Sequence, residues 1–141
     1  MVAAPAAAVA VAAGREGMSE AYGNRHHPRE IRLKREEKVL ELDFEDGRSF
    51  RLAAELLRVE SPSAEVQGHG RDTRTVVAGR RHVGIIGLEP VGTYALRIRF
   101  DDMHDTGLYT WDWLYNLGAN QEQIWQDYLD ALKEKGLSRD P

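Results

Sequence analysis

The sequence predicts an α+β fold: a small mixed or antiparallel β-sheet with hairpins, packed on short helices and followed by a C-terminal helix. Two stretches alternate apolar and polar residues around turn residues, as half-buried strands do. The last stretch repeats its apolar residues every three or four positions, which indicates an amphipathic helix. Strands and helices do not alternate regularly, and this disfavours a parallel sheet of βαβ units.

The first alternating stretch runs from 38 to 52 and has Asp46 and Gly47 at its centre. Asp-Gly between two such runs predicts a β-hairpin with a type I′ turn, in which both central residues have positive φ. The next segment, 53–59, is predicted to be a short helix. It ends before Pro62, because proline disfavours helical geometry in the residue that precedes it.

The second alternating stretch contains two strands, 82–90 and 93–100, joined by a Pro-Val-Gly turn. Proline presets φ and glycine supplies left-handed geometry, so this phrase is typical of a turn. A short extended segment at 105–111 follows, and then a helical turn or two closed by Gly118. In the second strand, one face of alternate residues is predicted to be buried: Tyr94, Leu96, Ile98 and Phe100.

The C-terminal helix is predicted to start at Asn120, with Gln123 in the capping-box position, and to end at Gly136. We therefore place one domain at 29–136 and a short tail at 137–141. Its apolar face comprises Ile124, Trp125, Tyr128, Leu129 and Leu132.

Residues 1–28 are predicted to be an N-terminal tail that is disordered or results from a misassigned start. Their apolar run is built mainly from alanine, lacks a cationic segment before it, and is too short to span a bilayer. We expect a cytoplasmic protein that does not bind membranes.

Composition excludes several classes of function. The 141 residues carry a net charge of −4, with a pI near 5.7, whereas general nucleic-acid binding needs a basic surface. There is no cysteine, so disulfides, thiolate nucleophiles and Cys-ligated metal sites are excluded for this chain. The oligomeric state stays open.

Acidic residues and histidines cluster after the second predicted strand. Such side chains are ligands for metal ions and can serve as general acids or bases. The competing interpretation is a turn in which the aspartates bond neighbouring amides. The residues of the candidate metal site are Asp101, Asp102, His104 and Asp105, with His69 from a Gly-His-Gly loop.

Two further groups of residues are candidates for binding. One group consists of four arginines: Arg71, Arg74, Arg80 and Arg81. They form either a patch that binds an anion or a partner, or the polar surface of a solvated hairpin. Among the aromatic residues, Trp111 is predicted to lie in the core together with Leu114, whereas Trp113 and Tyr115 either belong to the core or face a partner. No nucleophile has a paired base in the local sequence, so no catalytic residue is predicted.

Two long phrases, at 55–70 and 85–118, resemble the family named after the N-terminal domain of gamma-butyrobetaine hydroxylase. The resemblance covers Ile31 to Gly118 and implies a compact α+β fold. In the hydroxylase relatives it implies a zinc site of three cysteines and one histidine. The matching positions in this chain are Ser61, Ser63, Val66 and His104.

Serine hydroxyls are poor zinc ligands, and valine is none. We therefore expect the zinc site to be lost, with neither zinc nor iron as a cofactor. The loop is instead expected to be held by its own contacts, with Ser61 and Ser63 bonding nearby backbone, Val66 buried, and His104 as a hydrogen-bonding partner.

Two positions depart from the family pattern. Ala53 stands where the family more often has proline, and Met103 stands where it more often has glycine. The methionine weakens the case that the turn before His104 needs positive φ.

The resemblance also implies a context, because similar domains are fused to P-loop ATPases that carry iron–sulfur clusters and to 2-oxoglutarate-dependent hydroxylases. We expect a non-catalytic accessory or protein-interaction module linked to iron–sulfur cluster assembly, with a P-loop carrier ATPase as the partner. The alternative is a metal-binding protein or small metal-dependent enzyme that uses His104 and the neighbouring aspartates. A third hypothesis is anion binding at the arginine patch.

Overall fold

A computed structural model describes residues 7–9, 24–67 and 74–141 and confirms the α+β class. Its elements form two antiparallel sheets and a set of helices. The strands are β1 (Ala7–Val9), β2 (Pro28–Lys34), β3 (Val39–Phe44), β4 (Ser49–Ala53), β5 (Ile85–Val91), β6 (Ala95–Phe100) and β7 (Leu108–Thr110), and the helices are α1 (Ala54–Val59), α2 (Ala64–Gln67), α3 (Trp111–Ala119) and α4 (Gln121–Glu134).

The first sheet has the strand order β1-β2-β3-β4, with every neighbouring pair antiparallel. The predicted Asp-Gly hairpin joins β3 to β4, and Leu40 pairs with Leu52 across it. Gly47 has a φ of 93°, but Asp46 does not have positive φ. The hairpin prediction is therefore confirmed, whereas the type I′ turn is wrong. The strands are instead joined by a longer turn, in which the Phe44 amide donates a hydrogen bond to the Arg48 carbonyl.

The second sheet has the order β5-β6-β7. The predicted inner face is confirmed for Leu96, Ile98 and Phe100, which are completely buried in β6, whereas Tyr94 lies before the strand and is half-buried. The loop between β5 and β6 includes Gly92 with a φ of 53°, as the Pro-Val-Gly phrase predicts.

Both sheets contribute to one hydrophobic core, which α1 and α3 also enter. Trp111 and Leu114 of α3 lie in it with 1% and 0% exposure, as predicted. Helix α4 packs through Tyr128 and Leu132 against Val59 at the end of α1. The Tyr128 hydroxyl donates to the Val77 carbonyl at 2.6 Å, and burial raises the pKa of this tyrosine to about 12. In the described part of the chain, no helix is long and apolar enough to cross a membrane.

The helix boundaries differ from the prediction at two points. Gly118 does not close a helix but lies inside α3, where the ring of Phe50 packs against it. The capping box is also wrong: Asn120 makes no side-chain cap and donates to Asn116 Oδ1 at 2.7 Å. Helix α3 runs almost directly into α4, so the asparagine side chain is bonded to the preceding helix. Gly136 has a φ of 67° just beyond α4, as predicted.

The folded body begins before the predicted boundary at 28. Asn24 is 2% exposed, and its side chain donates to the Tyr94 carbonyl at 2.9 Å. The Asp112 carboxylate accepts the backbone N–H groups of Arg25 and His26 at 2.9 Å each. Strand β2 was not predicted. Within the predicted tail, 1–6 and 10–23 lie outside the described residues.

The predicted C-terminal tail at 137–141 also packs on the domain. Arg139 makes a bidentate ion pair with the buried carboxylate of Glu55, at 2.6 and 2.8 Å. Backbone hydrogen bonds join Gly79 to Ser138 and Arg81 to Arg139. These partners are remote in sequence, and for that reason composition alone suggested a tail.

Replacing Asp112 with alanine is expected to release residues 25 and 26. The carboxylate accepts both of their amides, and a hydrogen bond to a charged acceptor is worth about 1.5–3 kcal/mol. Hydrogen exchange at these two amides should speed up by roughly tenfold or more. Asp130→Ala, at an exposed position of α4, is the matched control. Unchanged exchange in Asp112→Ala would show that other contacts hold this segment.

Candidate functional site

The loop after α1 and the turn after β6 bring together the four positions that match the zinc site of the relatives. We call Ser61, Ser63, Val66 and His104 the loop cluster. His104 Nε2 lies 3.0 Å from Ser61 Oγ and 3.4 Å from Ser63 Oγ. The two serines are 0% and 5% exposed and the valine 2%, so the cluster is closed to solvent on the loop side.

Local hydrogen bonds hold this loop, with the expected backbone contact at Ser61, whereas the Ser63 hydroxyl lies beside His104. Ser61 Oγ accepts the Ser63 amide at 3.2 Å, and the Gln67 side chain donates to the Ser61 carbonyl at 2.9 Å. Gly107 packs directly against the cluster, where a Cβ atom would lie 2.5 Å from Ser61 Oγ. The loop therefore depends on a glycine at 107 for close approach, as well as on its own polar groups.

The loop cluster does not fit a zinc ion. Its two hydroxyls are poor zinc ligands and lie within hydrogen-bonding distance of the one imidazole, and the fourth position is a hydrocarbon. Residues 24–67 and 74–141 also contain no group of three or more His, Asp or Glu side chains that could hold a metal ion.

The acidic cluster serves as a structural turn. The backbone amide of Asp101 donates to the Gly84 carbonyl, and that of His104 donates to Asp102 Oδ1 at 3.1 Å. Asp102 also binds two arginines, and among the described residues it belongs to no group of three acidic or histidine side chains that could hold a metal ion. His69, the remaining member of the candidate metal site, lies outside the described residues.

Asp102 is the electrostatic centre of this region. Its Oδ2 accepts Arg58 Nε at 2.7 Å and lies 2.7 Å from Arg80 Nε. Burial opposes ionisation of the carboxyl, but the His104 amide and the Arg58 guanidinium outweigh it, so the pKa of Asp102 lies below its ordinary value. The carboxylate is therefore charged at neutral pH.

Asp102→Asn is expected to lower the free energy of unfolding at pH 7 by about 2–3 kcal/mol, because it removes the charged acceptor of two partly buried guanidiniums. Because the folded-state pKa is depressed, the ionised carboxyl stabilises the folded protein at pH values above the unfolded-state pKa. This stabilisation is lost as the pH falls through the folded-state pKa. The difference from wild type should therefore shrink below about pH 4. Urea titrations across this pH range measure both effects.

Asp140→Asn is the control for this prediction, since Asp140 forms a surface ion pair with Arg81 and is 63% exposed. It should unfold like the wild type. A pH-independent loss of stability in Asp102→Asn would contradict the assigned role of the charge.

Met103 corrects one inference from the sequence. It has a φ of 73°, so the turn before His104 does require the left-handed region even though glycine is absent. The Phe100 amide donates to the His104 carbonyl across this turn, and the Met103 amide donates to the Phe100 carbonyl. These bonds hold the methionine in a conformation that glycine adopts more easily.

Met103→Gly is expected to raise the free energy of unfolding by about 0.5–1 kcal/mol. The side chain is 81% exposed, so little packing is lost when it is removed. Met103→Ala keeps the Cβ atom and should give no such gain. Thermal unfolding of the two variants tests this expectation, and equal melting temperatures would contradict it.

The predicted arginine patch consists of separate ion pairs. Arg74 lies 2.7 Å from Glu60, Arg81 lies 2.5 Å from Asp140, and Arg80 pairs with Asp102 as described above. Burial raises the pKa of Glu60 despite the nearby Arg74. Arg71 lies outside the described residues.

Trp113 and Tyr115 are half-buried and make internal contacts. Trp113 Nε1 donates to the Glu60 carbonyl at 3.1 Å, and the Tyr115 hydroxyl donates to Asp46 Oδ2 at 2.6 Å. The His26 ring stacks on Tyr115 with ring centroids 3.5 Å apart. The large hydrophobic residues that the described surface exposes lie elsewhere: Ile86 at 53%, Met103 at 81% and Leu137 at 42%.

Sequence reasoning missed Arg58. This residue lies on α1 among apolar neighbours and is only 8% exposed. Arginine is seldom fully buried unless it is paired, so a cation within such an apolar helix was an available signal for a buried partner.

Comparison with known proteins agrees with the resemblance stated above. Residues 31–115 match the family described as gamma-butyrobetaine hydroxylase-like, N-terminal. The chain belongs to this family. No curated protein matches the chain.

Three solved structures resemble this family member over most of their length. Two are NMR solution structures, 50% and 48% identical, with TM-scores of 0.71 and 0.68. The matches cover 81% and 79% of this chain and 90% and 83% of those chains. The third is the crystal structure of a DUF971-family protein of unknown function from Acidithiobacillus ferrooxidans. It is 40% identical with a TM-score of 0.54, over 64% of this chain and 90% of that chain.

Proposed function

We propose that this member of the gamma-butyrobetaine hydroxylase-like N-terminal family is a non-catalytic accessory module that acts by binding a protein partner. The observation that carries the proposal is the burial of Ser61 in the loop cluster. Ser61 approaches His104 as a nucleophile approaches a base, but it is completely buried and Gly107 packs against its hydroxyl. A substrate carbonyl cannot reach this oxygen, so the pair serves as scaffold.

The neighbouring charged residues support the same conclusion. Asp102 is engaged by Arg58 and Arg80, and Asp112 by the backbone of 25–26. A general acid or base must reach its substrate within hydrogen-bonding distance, and these carboxylates are already engaged in internal contacts.

We further propose that the partner is a cytoplasmic P-loop carrier ATPase of iron–sulfur cluster assembly. Support comes from the fusion context that the family resemblance implies, which is an argument by analogy. The surface offers a contact for such a partner at Ile86. This residue is 53% exposed on β5, an outer strand of the second sheet. Outer strands present backbone groups that a partner can pair with.

Affinity capture from a native lysate with the tagged full chain tests this proposal. We expect a P-loop ATPase to be enriched over a tag-only control, and Ile86→Ser to reduce its recovery. Leu137→Ser, at another exposed hydrophobic position, is the matched control and should recover the partner normally. No enrichment of an ATPase would overturn the partner assignment.

Elemental analysis of dialysed, tag-free protein tests the alternative function. One tightly held metal ion per chain would support a metal-binding protein and overturn the scaffold role of the loop cluster. Substoichiometric metal would support the proposal.

A further inference from the structure

A cavity of about 340 Å³ opens beside the loop cluster. Three basic side chains contribute to its lining, namely Arg58, Arg80 and His104. The remaining wall is largely apolar and includes Val76 and Val77 from the extended segment before β5. Small-molecule sites combine apolar walls with a few convergent polar groups, and a volume above 300 Å³ falls within their usual range.

Arg58 supplies the observation that points to a ligand. Its side chain is 10% exposed, and Nε is used by Asp102. Its Nη1 is buried and has no hydrogen-bond partner within the part of the chain that the structure describes. A buried cationic donor without an acceptor is costly, so an acceptor supplied by a ligand would stabilise the site.

The charge balance of the cavity specifies the sign of that ligand. Arg58 and Arg80 share one carboxylate, because both Nε atoms lie 2.7 Å from Asp102 Oδ2. Among the described residues that these contacts join, two guanidiniums and one carboxylate leave an excess of one positive charge. Guanidinium groups bind carboxylate and phosphate oxygens through their remaining N–H groups, often in pairs.

We propose that this cavity binds a small oxyanion, a carboxylate or a phosphate, through Arg58 and Arg80. The valine wall contacts the uncharged part of the ligand. The site differs from the arginine patch that the sequence predicted, since only Arg80 belongs to both. It is also separate from the proposed partner contact at Ile86.

Titration of the full chain with sodium phosphate and, separately, with sodium butyrate tests the site. Sodium chloride at matched ionic strength is the reference. Two-dimensional NMR should show saturable shifts of the amides of Val76, Val77 and Arg80. Shifts with butyrate alone would assign a carboxylate ligand, and shifts with phosphate alone would assign a phosphate. No shift beyond the chloride reference with either anion would overturn the proposal.

Two variants and one control locate the binding. Arg80→Gln should weaken anion binding by roughly tenfold or more, because it removes a charged donor. Arg58→Lys keeps the buried charge and also keeps a donor, but it loses the guanidinium fork. It should weaken binding too, even if Arg80→Gln proves unstable. Arg81→Gln removes the same charge one residue away, from an exposed ion pair outside the cavity.

Arg81→Gln should bind the anion like the wild type. Equal weakening in Arg81→Gln and Arg80→Gln would show that general surface charge attracts the anion, and it would overturn the assigned site. Unchanged affinity in both Arg58→Lys and Arg80→Gln would do the same.

Discussion

Gly118→Ala is expected to lower the free energy of unfolding by about 3 kcal/mol. Alanine at a helix interior normally stabilises by about 1 kcal/mol relative to glycine, so helix propensity alone predicts the opposite sign. We expect a loss of stability because the ring of Phe50 lies against the glycine. A new Cβ atom at position 118 would lie 2.6 Å from Cδ1 and Cδ2 of Phe50. The ring or helix α3 would have to move. Urea denaturation at neutral pH measures the loss.

Gly87→Ala is the matched control, since a Cβ atom there meets nothing within 4 Å and its φ is not positive. It should change stability by less than about 1 kcal/mol. Phe50→Leu in the Gly118→Ala background removes the clash and should recover part of the loss. A stabilised Gly118→Ala protein would contradict the close packing of α3 on β4.

Restoring three sulfur ligands is expected to restore zinc binding. In the triple variant Ser61→Cys, Ser63→Cys and Val66→Cys, three thiolates and His104 would form the tetrahedral donor set that structural zinc sites use. The two serine hydroxyls that are replaced already lie 3.0 and 3.4 Å from His104 Nε2, close to the spacing of roughly 3.5 Å between neighbouring ligands of one zinc ion.

The triple variant should retain one zinc ion per chain after dialysis, and the wild type should not. Structural zinc sites have apparent binding free energies on the order of 10 kcal/mol, so its melting temperature should rise strongly with zinc and fall with a chelator. Adding His104→Ala to the triple variant removes the fourth ligand and is the control. Less than one zinc per chain in the triple variant would show that the loop no longer places these positions around a common centre.

The sequence alone determined the elements whose signals are local. The Asp-Gly hairpin, the alternation of Leu96, Ile98 and Phe100, and helix α4 all follow from periodicity and turn chemistry within short windows, and the structure contains each of them. The family assignment also rests on contiguous phrases. These features need only neighbouring residues, so one sequence suffices to predict them.

The tertiary structure decided where remote residues meet. Arg58 and Asp102 lie 44 residues apart in sequence, and the amide of Arg25 finds the carboxylate of Asp112 after 87 residues. No local sequence pattern indicates such a pair, because the two partners come into contact only when the sheets and helices pack together. The left-handed Met103 has the same origin: the surrounding turn hydrogen bonds hold a conformation that its own side chain disfavours.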